Sequence, residues 1–319
     1  MPATMARRIY RDLTKSPTLP RRARDERLLL DAIIADPDDD APRLVYADWL
    51  VERADPRGEL IIVQCELARL GGKGKRAELK HREAELLRKH KKDWVGRFGG
   101  QKIQHGSTKQ VWTRVNPTRW MFERGFVTWC SMKGADFARN AAAILEAEPL
   151  QRAHLTDRNL TDVAAAKGIE KLRGLDLRRV RLKEYGIDGL CEGTRFRGLE
   201  VLGLLRCGLG TKGMKRFAER ADPRRMPSLH TLELRANRLG DPGAVALAGA
   251  RILTGIRTLD LTGNRIGPAG AKALAASPYL DNLEQLYTAL NSLGAGAKLL
   301  TERFGKRHIQ SDPGLTFDI

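Results

Sequence analysis

Charged, aromatic and small residues recur at fixed places beside the leucines of six short apolar segments in the second half of the chain. One position of these segments, here called the charged row, is occupied in turn by His154, Asp176, Gly203, Glu233, Asp260 and Tyr287. The position two residues later is occupied by Thr156, Arg178, Leu205, Arg235, Thr262 and Ala289. Carboxylates, guanidinium groups and an aromatic ring in this arrangement are suited to contact with a charged protein surface. The chemistry indicated is non-covalent binding, and the candidate contact residues are His154, Asp176, Arg178, Glu233, Arg235, Asp260 and Tyr287.

The same residues have a second explanation, in which neighbouring strands balance one another's charge. Exposed pairs of this kind stabilise a protein only weakly. For any single pair we prefer charge balance, and for the surface as a whole we prefer binding. Because three acids lie in the charged row, a nucleic acid is not expected to bind there.

The most basic stretch, residues 71–97, is the candidate for an alternative function. The whole chain has a formal net charge of +18, and residues 71–125 contain 15 Lys and Arg against 5 Asp and Glu. Such a stretch attracts the phosphates of nucleic acid, although a solvated helix face gives the same pattern. The candidate nucleic-acid contacts are Lys73, Lys75, Arg76, Lys89, Lys91 and Lys92.

Motifs of catalysis and of metal or cofactor binding are missing from the sequence. There is no H-E-x-x-H, G-x-S-x-G or dinucleotide fingerprint, and the glycines at 71–75 lack the spacing of a phosphate-binding loop. The acids of residues 36–40 lack the alternation of a calcium loop, so they predict a turn and a helix cap. We therefore expect a protein that is not an enzyme and that requires no cofactor or metal.

The cysteine and hydropathy patterns bear on the compartment. The four cysteines form no C-x-x-C pair and are predicted to be small buried residues, which favours a reduced cytoplasmic protein; they are Cys65, Cys130, Cys191 and Cys207. No run of about 18 apolar residues is present, so no membrane span is expected.

The candidate contact residues are positioned by a pattern of eleven residues, L-x-x-L-x-L-x-x-N-x-L, in which L is apolar. It begins at residues 150, 172, 199, 229, 256 and 283, and the copies starting at Leu229 and Ile256 fit it fully. The alternating leucines predict a short strand, and the Asn amide is placed to satisfy backbone groups of neighbouring turns. A glycine and an alanine-rich helical run follow. Copies at this period predict a stacked α/β solenoid with a parallel sheet and one helix per repeat.

The continuation N-x-L-G-x-x-G, seen in Asn237 to Gly243, is similar to the leucine-rich repeat of the ribonuclease-inhibitor type. The resemblance is specific for the last four copies and looser for the first two. It implies a horseshoe whose concave sheet, or the loops beside it, binds another protein. Members of that family include inhibitors, sensors and regulators of small GTPases, so the fold alone selects none of these roles.

The chain before the repeats is mainly helical. Apolar stripes predict helices from Arg21, after Asp40 as N-cap, and from Glu59 to Leu70. Leu28 to Leu70, which includes the runs Asp-Ala-Pro-Arg-Leu-Val-Tyr-Ala-Asp-Trp-Leu and Asp-Pro-Arg-Gly-Glu-Leu, resembles the bacterial repeat-companion domain. That family occurs beside leucine-rich repeats in bacteria such as planctomycetes and myxobacteria, and it has no catalytic residues to transfer.

These observations predict an α/β protein, a leucine-rich-repeat solenoid preceded by a small all-α domain. The expected organisation is a basic flexible tail over 1–20, a helical repeat-companion domain over 21–97, a linker with a strand-and-helix cap over 98–149, and repeats over 150–319. The expected function is that of a cytoplasmic, monomeric, non-catalytic protein-binding scaffold or regulator. Nucleic-acid association through residues 71–97 is the alternative.

Overall fold

The computed structural model describes residues 21–70, 74–96, 98, 119–156, 160–182, 184–192 and 196–309. The chain divides into two compact units. The first contains the described residues up to 98 together with 120–128 and 143–150, and the second contains 129–142 and the described residues after 150. The predicted tail 1–20 and Lys73 lie outside the described residues.

Four helices open the first unit. They are α1 (Arg21–Ala35), α2 (Asp40–Val51), α3 (Pro56–Arg69) and α4 (Gly74–Gly96). The N-cap of α2 is Asp39, whose carboxylate accepts a hydrogen bond from the Ala41 amide at 2.9 Å. The predicted cap, Asp40, is wrong by one residue, because Asp40 is already the first helical residue while Asp39 has extended backbone angles. Asp55 caps α3 in the same way.

A hairpin of β1 (Arg119–Glu123) and β2 (Phe126–Met132) follows the helices. Its two-residue loop, Arg124 and Gly125, has positive φ at both positions, 50° and 83°, which is the requirement of a type I′ turn. The core of the first unit includes the fully buried Phe126 with residues of α1, α2 and α3. Close packing reaches the turn itself, because a Cβ atom at Gly125 would collide with Ile61 of α3.

Replacing Gly125 by alanine is expected to lower the free energy of unfolding by about 2 kcal/mol. The new Cβ would meet the Ile61 side chain and lie 2.9 Å from its Cα, and the positive φ disfavours any L side chain. Thermal unfolding followed by circular dichroism measures the effect. The matched control is Gly249→Ala, because Gly249 has a φ of −88° and an added Cβ would lie 3.7 Å from the Ala246 carbonyl oxygen, an ordinary van der Waals contact. Equal losses in both variants would contradict the expectation.

The repeats alternate short strands and helices. After α5 (Gly134–Ala147) the strands are β3 (Arg152–Leu155), β4 (Gly174–Asp176), β5 (Val201–Gly203), β6 (Thr231–Glu233), β7 (Thr258–Asp260), β8 (Gln285–Tyr287) and β9 (His308–Ile309). The helices between and after them are α6 (Leu160–Ala165), α7 (Glu184–Glu192), α8 (Gly210–Arg220), α9 (Gly240–Ala248), α10 (Pro268–Ala275) and α11 (Gly296–Phe304). Strands β2 to β9 are paired in parallel in the order of the chain.

The predicted phase of the repeats is confirmed. Each of β3 to β8 begins two residues after the start of a copy of the apolar pattern, and its central apolar residue is buried. Leu232 of β6 is paired with Leu259 of β7, and both are fully buried. The fold is therefore the parallel α/β stack that the spacing of leucines predicts. The short strand β9, which follows the sixth copy, was not predicted.

The asparagine that follows each of β6, β7 and β8 joins one repeat to the one before it. Asn264, which is fully buried, accepts a hydrogen bond from the Asn237 amide at 2.8 Å and donates to the carbonyls of Leu234 and Leu261, both at 2.9 Å. Asn291 accepts from the Asn264 amide at 2.9 Å. These contacts satisfy turn backbone groups that the sheet does not reach, as predicted for this position.

Candidate functional site

The strand register brings the charged row together. His154 is paired with Asp176, Asp176 with Gly203, Gly203 with Glu233, Glu233 with Asp260, and Asp260 with Tyr287. Neighbouring strands lie about 4.8 Å apart, and residues in register project from the same face of a sheet. Residues that are 22 to 30 positions apart in the chain therefore form one continuous line across six strands.

The acids of this row are much more enclosed than a sequence can indicate. Only 3% of Asp176, 7% of Glu233 and 5% of Asp260 is accessible to solvent. Arg178 and Arg235 are half-buried, as are His154 and Tyr287 at the two ends of the row. The electrostatics of this face are therefore those of partly desolvated groups and differ from those of exposed surface pairs.

Asp176 and Asp260 each bind the backbone of their own segment. Asp176 accepts a hydrogen bond from the Arg178 amide at 2.9 Å, and its second oxygen lies 3.0 Å from the Arg178 guanidinium. Asp260 accepts from the Thr262 amide at 2.8 Å. Burial raises the pKa of Asp176, and the charges of Arg178 and His154 oppose that rise. The two aspartates therefore stabilise the turns that follow β4 and β7. Asp176 and Arg178 belong to the same strand segment, so their ion pair does not join two neighbouring strands.

Glu233 is different, because its Oε1 is buried and has no hydrogen-bond partner among the described residues. Burial raises the pKa of Glu233 to about 8, and the neighbouring charges of Asp176 and Asp260 add to the rise. Arg178 and Arg235 act in the opposite direction without cancelling it. Glu233 is therefore mostly protonated at neutral pH, and any nearby positive charge would favour its ionised form.

Three further buried polar atoms on this face have no hydrogen-bond partner among the described residues. They are His154 Nε2, Arg178 Nε and Thr262 Oγ1. The other nitrogen of His154 lies 3.0 Å from Ser131 Oγ, and burial lowers the pKa of this histidine. A buried polar atom without a partner costs about 1–3 kcal/mol. Four such atoms on this face of the sheet mark a surface that has donors and an acceptor to offer to another molecule.

The basic stretch of the alternative hypothesis is largely engaged within its own unit. Lys75 contacts the Glu66 carboxylate at 2.7 Å, Arg76 donates to the Leu70 carbonyl at 2.9 Å, and Lys91 donates to the Trp120 carbonyl at 2.8 Å. Lys89 and Lys92 are exposed on α4. The structure therefore presents a smaller free positive surface here than the sequence indicates.

The part of the chain that the structure describes contains no group of histidine, cysteine and carboxylate side chains arranged to hold a metal ion. Cys65, Cys130, Cys191 and Cys207 are all buried and form no disulfide. Burial is the main cause that raises the pKa of the Cys65 thiol, to about 11, and of the Cys207 thiol, to about 12. These thiols are therefore kept in the unreactive protonated form.

None of the helices in the described ranges combines the length and the apolar character that crossing a bilayer requires.

Comparison with known families identifies a partial match. The model of a leucine-rich-repeat family matches residues 225–248 and 255–275, which contain β6 with α9 and β7 with α10. No curated protein matches the chain.

Proposed function

We propose that this leucine-rich-repeat protein is a non-catalytic scaffold or regulator that binds another protein on the sheet face carrying the charged row. Repeats of this kind generally act in protein binding, since stacking presents a long surface built from equivalent positions. The observation that carries the proposal is the set of four buried polar atoms on this one face that have no hydrogen-bond partner in the part of the chain that the structure describes. Unsatisfied groups cost stability, and such costs are concentrated at functional sites.

Within that proposal the residues have different roles according to their exposure. Arg235 and Tyr287 are half-buried and are placed to make contacts at the surface, while Asp176 and Asp260 hold the row through their backbone hydrogen bonds. The tyrosine hydroxyl donates to the Gln285 side chain at 3.1 Å, which leaves its ring available to an apolar group of the partner.

The proposal also includes a cytoplasmic, monomeric protein of bacterial type whose first helices are a repeat-companion domain. Its support is the resemblance of Leu28 to Leu70 and the absence of disulfides among the four buried cysteines. Nucleic-acid association through α4 remains the alternative. It has less support, because Lys75, Arg76 and Lys91 are engaged with neighbouring groups of the protein.

The two functions are separated by comparing which variants lose their partners. The native chain, Arg235→Ala with Tyr287→Ala, and Lys89→Ala with Lys92→Ala are each immobilised and exposed to native lysate with or without nuclease. We expect a protein that resists nuclease and whose retention falls at least about tenfold in the Arg235 and Tyr287 variant, because buried aromatic and arginine anchors dominate binding energy. Circular dichroism and thermal midpoints show whether each variant is folded.

The lysine variant is the matched control in that experiment, since both of its residues are exposed on α4. Protein binding through the charged row predicts that it behaves like the native chain. Loss of all retained material with nuclease, together with loss in the lysine variant alone, would instead establish the nucleic-acid function.

A further inference from the structure

We propose that Glu233, with Asp176 and Asp260 on either side of it in the charged row, receives an arginine or lysine side chain of the bound protein. The inference rests on the proposed function, because it names the chemistry of the partner at that same face. It specifies one contact atom of this protein, Glu233 Oε1, and the charge of the partner group that binds there, which is positive.

In the charged row, a carboxylate oxygen of Glu233 that is unpaired within the described chain lies between two aspartates whose carboxylates already accept hydrogen bonds. One oxygen of Asp176 is bound to the Arg178 amide and the other to its guanidinium, and Asp260 accepts from the Thr262 amide. Among the described residues, Glu233 Oε1 is the carboxylate oxygen of this row that is buried without a hydrogen-bond partner. The strand register places Asp260 on the neighbouring strand, about 4.8 Å away, and Asp176 two strands away on the other side.

Between Asp176 and Glu233 the row is occupied by Gly203, which has no side chain. A donor from another molecule therefore meets no side chain from β5 on the line between the two acids. A guanidinium or ammonium group brings several N–H donors to one place, so it can satisfy Oε1 and still face the neighbouring carboxylates.

The charged groups around Glu233 explain why the protein itself does not supply this cation. From β4 and the residues after it come Asp176 and Arg178, from the segment after β6 comes Arg235, and from β7 comes Asp260. Arg178 is bound to Asp176, and His154 acts on Asp176 from the strand beyond. With these groups in place, burial and the two aspartates still raise the pKa of Glu233 to about 8.

Because Glu233 is mostly protonated before the partner binds, binding of a cation is linked to release of the Glu233 proton. Binding of a cation stabilises the ionised carboxylate, so Glu233 releases its proton to solvent as the basic side chain docks. Affinity for the partner should then increase with pH, by up to about tenfold per unit below pH 8, and level off above it. A neutral hydrogen-bond donor would satisfy Oε1 without this pH dependence.

The first arm of the test follows the Glu233 carboxyl directly. The full chain is labelled with glutamate carrying carbon-13 in its side-chain carboxyl, the Glu233 resonance is assigned by its loss in Glu233→Gln, and its titration is recorded by NMR. Nα-acetyl-arginine amide and the lysine equivalent are the cationic probes, and the citrulline equivalent is the neutral control of the same shape as arginine. We expect the cationic probes, at high millimolar concentration, to lower the titration midpoint by at least one pH unit while citrulline leaves it unchanged. An unchanged midpoint with both cationic probes, or an equal shift with citrulline, overturns the inference.

The second arm uses the protein retained in the lysate experiment and compares its retention at pH 6.5 and pH 8.5. The native chain should retain more at the higher pH, and Glu233→Gln should retain less at pH 8.5 and lose the dependence on pH. Glu219→Gln, a change at an exposed residue of α8, is the matched control. Retention that depends on Tyr287 and Arg235 but is equal at both pH values overturns this inference and leaves the proposed function standing. If the cationic probes lower the titration midpoint but no retained protein depends on Arg235 and Tyr287, the proposed function is overturned, and the cation site at Glu233 still stands.

Discussion

Replacing Asn264 by alanine is expected to lower the free energy of unfolding by roughly 3–5 kcal/mol. The fully buried side chain accepts from the Asn237 amide and donates to the carbonyls of Leu234 and Leu261. Alanine leaves the Asn237 amide without this partner, and a buried unsatisfied group costs about 1–3 kcal/mol. The two carbonyls keep their bonds to the Asn237 and Asn291 side chains, so each lost hydrogen bond there costs about 1 kcal/mol. The shift of the urea midpoint, followed by far-ultraviolet circular dichroism, measures the loss.

Asn282 provides the control for that substitution. Its amide donates one hydrogen bond, 2.9 Å long, to the Thr254 carbonyl in an exposed setting. Asn282→Ala should therefore cost less than about 1 kcal/mol, since water replaces the lost partner. Similar midpoints for the two variants would show that the buried asparagine is not what joins the repeats.

Glu233→Gln is expected to stabilise the protein, and to do so more strongly as the pH rises. The folded protein holds the Glu233 proton up to about pH 8, whereas the ordinary value for an unfolded chain is 4.5. Between these values the unfolded state releases a proton that the folded state keeps, so folding loses about 1.4 kcal/mol per pH unit. Glutamine cannot ionise, and it avoids a cost that reaches on the order of 4 kcal/mol at pH 8.

Thermal midpoints of the native chain and the variant, measured from pH 5 to pH 9, test this expectation. The two midpoints should be close near pH 5 and diverge progressively to pH 8. Glu219→Gln, at an exposed position, should give a difference that does not grow with pH. A constant difference for Glu233→Gln would contradict the assigned pKa. If Glu233→Gln is more stable than the native chain and also binds the partner more weakly, Glu233 does not have a purely structural role.

The sequence predicts the repeats well because each strand is defined by residues that are close together in the chain. Alternation of leucines over six residues defines each strand, and the equal phase of the copies defines the register that aligns Asp176, Glu233 and Asp260. The single strand predicted in the cap corresponds to β2, whereas β1 and hence the hairpin were missed, because Arg124 is not one of the Asn, Asp or Gly residues that usually precede glycine in a two-residue turn.

The burial and protonation of the row could not be predicted in the same way. Glu233 is affected by Asp176, which is 57 positions earlier in the chain, and by Asp260, which is 27 positions later. Its pKa depends on how closely side chains from separate repeats enclose it, and that packing is a property of the assembled sheet. The engagement of Lys75 with Glu66, and of Lys91 with the Trp120 carbonyl, is non-local for the same reason.

The asparagine contacts give the repeat array a direction. In each junction the later asparagine completes the earlier turn: Asn264 serves the amide of Asn237, and Asn291 serves the amide of Asn264. Removing a unit from the carboxyl-terminal side therefore opens amides of the turn that remains. Removing one from the amino-terminal side opens other bonds: the Asn264 side chain loses the Leu234 carbonyl, and the Arg257 amide loses the His230 carbonyl. At the last junction the Thr288 amide donates to the Ile309 carbonyl of β9 at 3.0 Å, as the Leu261 amide does to the Tyr287 carbonyl one repeat earlier. Unfolding that starts at β9 therefore first frees an amide that follows a strand, that of Thr288, whereas unfolding that starts at β3 first frees amides that lead into a strand, those of Arg173 and Gly174.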